Sequence, residues 1–159
     1  MKKFEFTGEV ATLINGTILH RIKALVKINL GWITVDVGDL GGWIEKESNL
    51  SHKGNAWVWG NAQVYGDAQV CGNARVYGDA RVAKKEHVLT VGPIGSRNDM
   101  TTFFNSKTGI IKVKCGCFTG TIEEFLEKVE ITHGDSKHAK VYKAAAELAI
   151  AQIDTTPVE

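Results

Sequence analysis

The chain has 159 residues, and its 19 Lys and Arg against 18 Asp and Glu give a formal net charge of +1. That length supports one compact domain or two very small ones, and a near-neutral chain lacks the basic surplus of a duplex-nucleic-acid binder. With 43% hydrophobic and 23% charged residues, the composition is that of a folded protein and excludes a disordered chain. The unusual feature is 17 glycines with only 2 prolines, which excludes collagen and a proline-rich linker.

The N-terminal third predicts a small antiparallel sheet. Residues 17–28 alternate apolar and polar side chains, residues 33–37 form a second candidate strand, and Asn15-Gly16 is a tight-turn signal. The first residues carry two lysines with no apolar run behind them, and no stretch approaches the roughly 18 apolar residues of a membrane helix. We therefore expect no signal peptide and no membrane contact. The three cysteines then indicate reduced thiols in a cytosol.

A six-residue repeat occupies the middle of the chain. Glycine followed by Asn-Ala or Asp-Ala recurs at Gly54, Gly60, Gly66, Gly72 and Gly78. This period matches no α-helix, and it suits a short strand followed by a sharp corner. Gly, Asn and Asp adopt left-handed backbone angles at a corner at least cost, whereas valine favours the extended part. The valines at the same step are Val58, Val64, Val70, Val76 and Val82.

These five in-register units resemble the hexapeptide-repeat, left-handed β-helix family. The lead-in at residues 20–25, 38–45 and 49–51, together with the later segments 95–104, 115–118 and 132–135, resembles hexapeptide-repeat proteins of bacteriophages and prophages. The resemblance implies a triangular coil of about two turns that buries the valine rows and needs caps at its open ends. It also implies a homo-oligomer, commonly a trimer in this family.

The fold class predicted from these features is mixed β and α+β. A short left-handed parallel β-helix at residues 44–83 follows an N-terminal antiparallel β cap at residues 1–43. Residues 84–159 are predicted to form a C-terminal β-hairpin and two helices. We expect the valine rows to form the core or the oligomer contact, together with four aromatic residues of the repeat, namely Trp57, Trp59, Tyr65 and Tyr77.

All four tryptophans of the chain lie at or before the first coil, since Trp32 and Trp43 precede the two of the repeat. Two interpretations follow. The tryptophans plug the blunt end of the coil and pack on the N-terminal segment, or they form an aromatic surface for a ligand or partner.

A glycine-rich turn after the repeat is the candidate ligand site. Residues 92–99 contain Gly92, Gly95, Ser96, Arg97 and Asn98, whose backbone N–H groups and guanidinium can hold an anion. The alternatives are a simple tight turn and a contact with another polypeptide. No Walker or dinucleotide-binding pattern is present. The candidate ligand-binding residues are Ser96, Arg97, Asn98, Thr101, Thr102, Phe103, Lys112 and Lys114.

The C-terminal segment predicts two capped helices. Thr121 and Glu124 fit a capping box, and Asp135 or Ser136 can cap the second helix. The residue types of Cys115, Cys117, His133 and His138 suit Zn²⁺, but the C-x-C spacing is tighter than that of a structural zinc loop. We favour reduced, buried cysteines packed beside a glycine, and we predict neither a metal nor another cofactor.

The family resemblance implies one enzymatic alternative, an acyltransferase with a histidine general base. The candidates are His52 and His87, which flank a repeat without insertions. We predict instead a non-enzymatic oligomeric binding protein of the bacterial host cytoplasm, encoded by a phage. It would capture an anionic small molecule such as a nucleotide immune signal. The alternatives are an inhibitor or scaffold that binds a host protein, a purely structural role, and the acyltransferase.

Overall fold

The computed structural model describes residues 1–31 and 33–157, which form four sheets and two helices. The strands of the N-terminal third are β1 (Phe4–Thr12), β2 (Ile18–Ala24), β3 (Ile28–Asn29), β4 (Thr34–Val35) and β5 (Leu40–Ile44). The repeat contributes β6 (Trp57–Val58), β7 (Gln63–Val64), β8 (Arg75–Val76) and β9 (Arg81–Val82). The remaining elements are β10 (Val88–Ile94), β11 (Asp99–Asn105), β12 (Ile111–Cys115), β13 (Phe118–Thr121), α1 (Ile122–His133) and α2 (Lys137–Gln152).

The largest sheet joins the N-terminal strands to the repeat. Its strand order is β1-β2-β5-β7-β9. The β1/β2 and β2/β5 pairs are antiparallel, whereas β5/β7 and β7/β9 are parallel. Two further repeat strands, β6 and β8, pair in parallel as a separate sheet, and β3 pairs with β4. Leu50 and Val70 pair in parallel as an isolated bridge outside these strands.

The predicted left-handed parallel β-helix at residues 44–83 is wrong. Each repeat strand is two residues long, and these strands belong to separate small sheets, one of which is mixed. The physical reason is the length of the repeat. Five units give strands too short and too few for one continuous set of sheets, so β7 and β9 extend the sheet that the antiparallel strands begin, and β6 pairs with β8 alone among the described strands. The predicted C-terminal β-hairpin is also wrong, because residues 88–121 form a four-stranded antiparallel sheet. Its strand order is β10-β11-β12-β13.

The valine rows form the core, as the repeat predicts. Val58, Val64, Val70, Val76 and Val82 are all fully buried. The corner glycines all have positive φ, between 57° and 70°. Among the aromatic residues, Trp57 and Tyr65 are buried, whereas Trp59 and Tyr77 are half-buried and stack with ring centroids 5.2 Å apart. The prediction for Trp32 lies outside the described residues.

The two C-terminal helices begin at the predicted caps. Thr121 Oγ1 accepts the Glu124 N–H and the Glu124 carboxylate accepts the Thr121 N–H, which is the reciprocal capping box. Ser136 caps α2 by accepting the Ala139 N–H. Both helices cover one face of the four-stranded sheet, in a second core that includes Phe103, Val113 and Phe125. Within residues 1–31 and 33–157, no helix combines the length and the apolar character needed to cross a membrane.

The opposite face of the four-stranded sheet packs against the repeat through the buried Phe104 ring and through polar contacts. The buried Arg75 guanidinium makes a two-pronged ion pair with Asp99, both N···O distances being 3.3 Å. The Arg75 N–H also donates to Thr102 Oγ1 at 3.1 Å. These contacts fix the start of β11, and with it the turn that precedes it.

A buried histidine lies beside the C-terminal tail, with its Nε2 3.9 Å from Asp154 Oδ2. His87 is fully buried, and its Nδ1 accepts the Ala83 N–H at 3.1 Å. The Asp154 N–H donates to the Glu86 carbonyl, and its carboxylate pairs with Lys84 at 2.9 Å. Burial lowers the pKa of His87 below its ordinary value of 6.5, although the nearby Asp154 carboxylate acts in the opposite direction.

We expect the protein to lose stability as the pH falls below about 6.5. In that range the unfolded chain binds a proton at His87, whereas the folded chain keeps the ring neutral until its own lower pKa is reached. His87→Asn retains an acceptor for the Ala83 N–H without a titrating ring, so its urea midpoint should change less between pH 7.5 and pH 5.5, values chosen to bracket the ordinary His pKa of roughly 6.5. If the urea midpoint falls equally in the unaltered protein and in His87→Asn, His87 is not the group responsible for the loss of stability. His20→Asn, a half-buried histidine of β2, is the matched control.

Candidate functional site

A cavity of about 270 Å³ lies beside the predicted anion-binding turn. Ser96 and Arg97, in the turn between β10 and β11, form one wall. The turn between β12 and β13 forms the second wall with Cys115 and Cys117. Lys128 of α1 and Tyr142 of α2 complete the lining, so four segments of the chain meet here.

Aromatic rings line the apolar side of the cavity. Phe118, Phe125 and Tyr142 are part of the lining. The ring centroids of Phe118 and Phe125 are 5.7 Å apart, and those of Phe125 and Tyr142 are 5.6 Å apart at nearly a right angle. The His133 ring lies 5.6 Å from that of Tyr142. These rings continue into the core of the C-terminal unit, which holds them in place.

The polar side of the cavity is cationic. Arg97 and Lys128 carry positive charge and are exposed, and no carboxylate is among the residues that line the cavity in the part of the chain the structure describes. Burial raises the pKa of the Tyr142 hydroxyl to about 12, so this group stays protonated at physiological pH, and it hydrogen-bonds with Cys115 in the cavity wall. A ligand with a negative charge at one end and a flat apolar group at the other matches this lining.

Gly95 is required because of its contact with Tyr142. Its φ is +75°, and a Cβ built there would overlap the Tyr142 hydroxyl and the ring carbon that carries it. The turn therefore lies directly against α2, and Ser96 interacts with the Tyr142 hydroxyl through both its side chain and its backbone. The glycine thus sets the distance between Arg97 and the aromatic wall.

Arg97 extends across the turn between β12 and β13. A Cβ at Gly116 would lie 3.2 Å from Arg97 Nη1, so the guanidinium passes close to the bare backbone of that turn. Cys115 Sγ accepts a hydrogen bond from Thr101 Oγ1 at 3.3 Å. Arg97 lines the cavity and remains accessible to solvent.

The structure separates the predicted ligand-binding residues onto two faces of one sheet. Ser96 and Arg97 line the cavity, whereas Asn98 is exposed in the turn with a φ of 49°. Thr101 and Phe103 are buried on the helix-facing side. These two support the wall of the cavity and do not line it.

Thr102, Lys112 and Lys114 lie on the other face, toward the repeat. Lys112 pairs with Asp79 at 3.0 Å. Lys114 is buried, its Nζ lies 4.6 Å from the centre of the Tyr77 ring, and it donates to Thr119 Oγ1. The geometry does not bring the two lysines to Arg97, and it places them in the junction with the repeat.

The four cysteine and histidine residues considered for zinc do not assemble into a metal centre in the described part of the chain. Among residues 1–31 and 33–157, no three His, Cys, Asp or Glu side chains form a group that could hold a metal ion. The rings of His133 and His138 are 5.8 Å apart, and the cysteines carry free thiols. Cys117 is exposed and Cys115 is only half-buried, so the interpretation that both cysteines are buried is wrong.

The two histidines considered for acyl transfer share one arrangement. His52 Nδ1 accepts the Lys3 N–H at 3.1 Å, just as His87 Nδ1 accepts the Ala83 N–H. A neutral ring that accepts at Nδ1 carries its proton on Nε2, so Nε2 has no lone pair for a general base. His52 borders a larger hollow of about 440 Å³ that also includes Cys71, but its Nε2 faces Glu47 Oε2 at 3.7 Å.

Sequence reasoning missed most of the cavity wall. Lys128, Phe118, Tyr142 and His133 were not among the predicted ligand-binding residues. Part of this wall could have been found from the sequence. A single helix face after the capping box carries four of its residues, Phe125, Lys128, Val129 and Thr132. A comparison with models of known protein families finds none that matches the chain, and a search of curated proteins finds no matching sequence.

Proposed function

We propose that the protein is a non-enzymatic binding protein that captures a small anionic molecule with an aromatic or apolar group, such as a nucleotide. The observation that carries the proposal is the cavity bounded by Arg97 and Lys128 on one side and by three aromatic rings on the other. The guanidinium can hold a phosphate or carboxylate with paired hydrogen bonds. The rings offer a surface for stacking.

The volume of the cavity limits the size of the ligand. Its 270 Å³ is close to the lower end of the roughly 300–1,000 Å³ typical of small-molecule pockets. A mononucleotide or a smaller aromatic acid is therefore favoured over a dinucleotide. The arrangement of His52 and His87, whose Nδ1 atoms are already occupied as acceptors, supports binding over acyl transfer.

The proposal includes the location, the origin and the oligomeric state of the protein. The protein acts in the cytoplasm of a bacterial host, which three free thiols support. The phage-like lead-in at residues 38–45 supports an origin in a phage, where a nucleotide-binding protein would sequester a host immune signal. A homo-oligomer remains part of the proposal. The trimer lost its main support when the β-helix prediction proved wrong, and the mass in solution decides between oligomeric states.

The proposal is tested by what the purified protein releases. Heating should release an anionic small molecule into the supernatant, where mass spectrometry identifies it, and nucleoside monophosphates should raise the melting temperature of protein stripped of its ligand. Arg97→Ala should weaken binding by roughly 10- to 100-fold, because a charge-assisted hydrogen bond contributes about 1.5–3 kcal/mol. Lys140→Ala, which removes an exposed charge of α2 that does not line the cavity, is the control.

Two results would contradict the proposal. One is a protein that releases nothing and shows no thermal shift with nucleotides or aromatic acids. The other is a ligand whose affinity is the same for Arg97→Ala, Lys140→Ala and the unaltered protein, since such a ligand would bind elsewhere.

A further inference from the structure

A further concave surface lies along the two C-terminal helices. This groove, of about 430 Å³, runs between α1 and α2, and we call it the helix groove. Its floor is apolar and consists of Leu126, Ala146 and Ile150. Ile150 remains 56% exposed, whereas Ala146 is almost fully buried at the bottom. The volume is enough for a few aliphatic side chains.

The rims of the helix groove are acidic. Glu127 and Glu130 of α1 stand on one side, and Glu147 of α2 stands on the other. The single cation of the lining, Lys143, is already paired with Glu130 at 2.6 Å. Neither Glu127 nor Glu147 has an ion-pair partner within residues 1–31 and 33–157, so the two rims present unneutralised carboxylates across an apolar floor.

We infer that the helix groove binds a basic amphipathic helix of a partner protein, whose apolar side chains fill the floor and whose Lys or Arg residues pair with Glu127 and Glu147. The α2 segment that borders the groove, residues 143–150, is about 10 Å long at the rise of an α-helix, which matches about two turns of a docked helix. The carboxylates on both rims require basic residues on both flanks of the partner's apolar stripe. This surface is separate from the cavity of the proposed function.

Charge complementarity is what selects this occupant. An acidic or anionic partner, including an anionic lipid surface, would face like charges on both rims. A neutral apolar helix would leave two carboxylates beside a dry interface without partners, which is unfavourable. A second copy of this chain is the remaining alternative, and it is distinguished by the experiment.

The test uses synthetic helical peptides and the full-length protein. The probe is a peptide of about 18 residues, long enough to hold a helix, with a leucine stripe flanked on both sides by lysine. We expect this peptide to bind at least about tenfold tighter than a scrambled peptide of the same composition, and more weakly at high salt. A version with glutamate flanks should not bind.

Variants assign the binding to the helix groove. The double variant Glu127→Lys with Glu147→Lys should lower the affinity for the lysine peptide at least about tenfold. It should also permit binding of the glutamate peptide. Ile150→Ala should lower the affinity for the lysine peptide about tenfold, because an apolar contact is lost. Glu9→Lys and Ile131→Ala change exposed residues of β1 and α1 outside the groove, and they should leave the affinity unchanged.

Three outcomes would overturn the inference. The first is equal binding of the striped and scrambled peptides. The second is an affinity that the double charge reversal does not alter. The third is a dimer in solution that Ile150→Ala converts to monomer, which would make a second copy the occupant. The nucleotide assays with Arg97→Ala report on the other cavity, so the two proposals fail separately.

Discussion

Asp99→Ala should lower the free energy of unfolding by about 3 kcal/mol, because it leaves a buried arginine without its counter-charge. The Arg75 side chain is 5% exposed and makes both of its side-chain contacts at 3.3 Å with Asp99. Removing one partner of a buried pair typically costs about 3–5 kcal/mol. The lower end applies here, because 32% of the Asp99 side chain is exposed and water can reach the carboxylate side. Urea denaturation measures the change.

A matched ion pair on the surface isolates the effect of burial. Lys27 and Asp36 also approach within 3.3 Å, but both side chains are more than 60% exposed. Asp36→Ala should therefore cost no more than about 0.5 kcal/mol. If the two alanine variants are equally stable, the Arg75–Asp99 pair does not hold the four-stranded sheet to the repeat.

The sequence predicts the corners and core of the repeat, but not how its strands pair. A glycine every six residues requires a positive φ every six residues, and the valine four positions later is buried each time. Strand pairing is less determined, because a strand of two residues carries little register information. The long strand β1 was missed for a related reason. Gly8, with a φ of +95°, interrupts its alternation at a bulge where the register shifts against β2.

The candidate site was half predictable. Ser96 and Arg97 follow from a donor-rich glycine turn, whereas Lys112 and Lys114 were grouped with them because of charge alone. The period of a strand separates these lysines from Val113 and Cys115, which lie on the helix-facing side with the cavity. Lys128 and Tyr142 could not be placed from sequence, because their position depends on how two helices cover the sheet.

Gly95→Ala should both destabilise the fold and abolish ligand binding. The new methyl group would overlap the Tyr142 hydroxyl, and the left-handed backbone at φ +75° adds strain of its own. Overpacking and backbone strain each cost about 1–3 kcal/mol, so we expect a loss of about 3 kcal/mol in the free energy of unfolding. Because the turn must move away from α2, Arg97 leaves the aromatic wall, and thermal shifts with nucleoside monophosphates should disappear.

Two comparisons separate the contact with Tyr142 from the backbone strain. Gly78→Ala places a methyl group at φ +65° with no atom within 4 Å, so it should cost only about 1 kcal/mol. In a Tyr142→Ala background the added cost of Gly95→Ala should fall to a similar value, because the overlapping ring is gone. If Gly95→Ala costs the same with and without the tyrosine, the turn does not lie against α2, and the cavity between Arg97 and the aromatic rings is not formed as described.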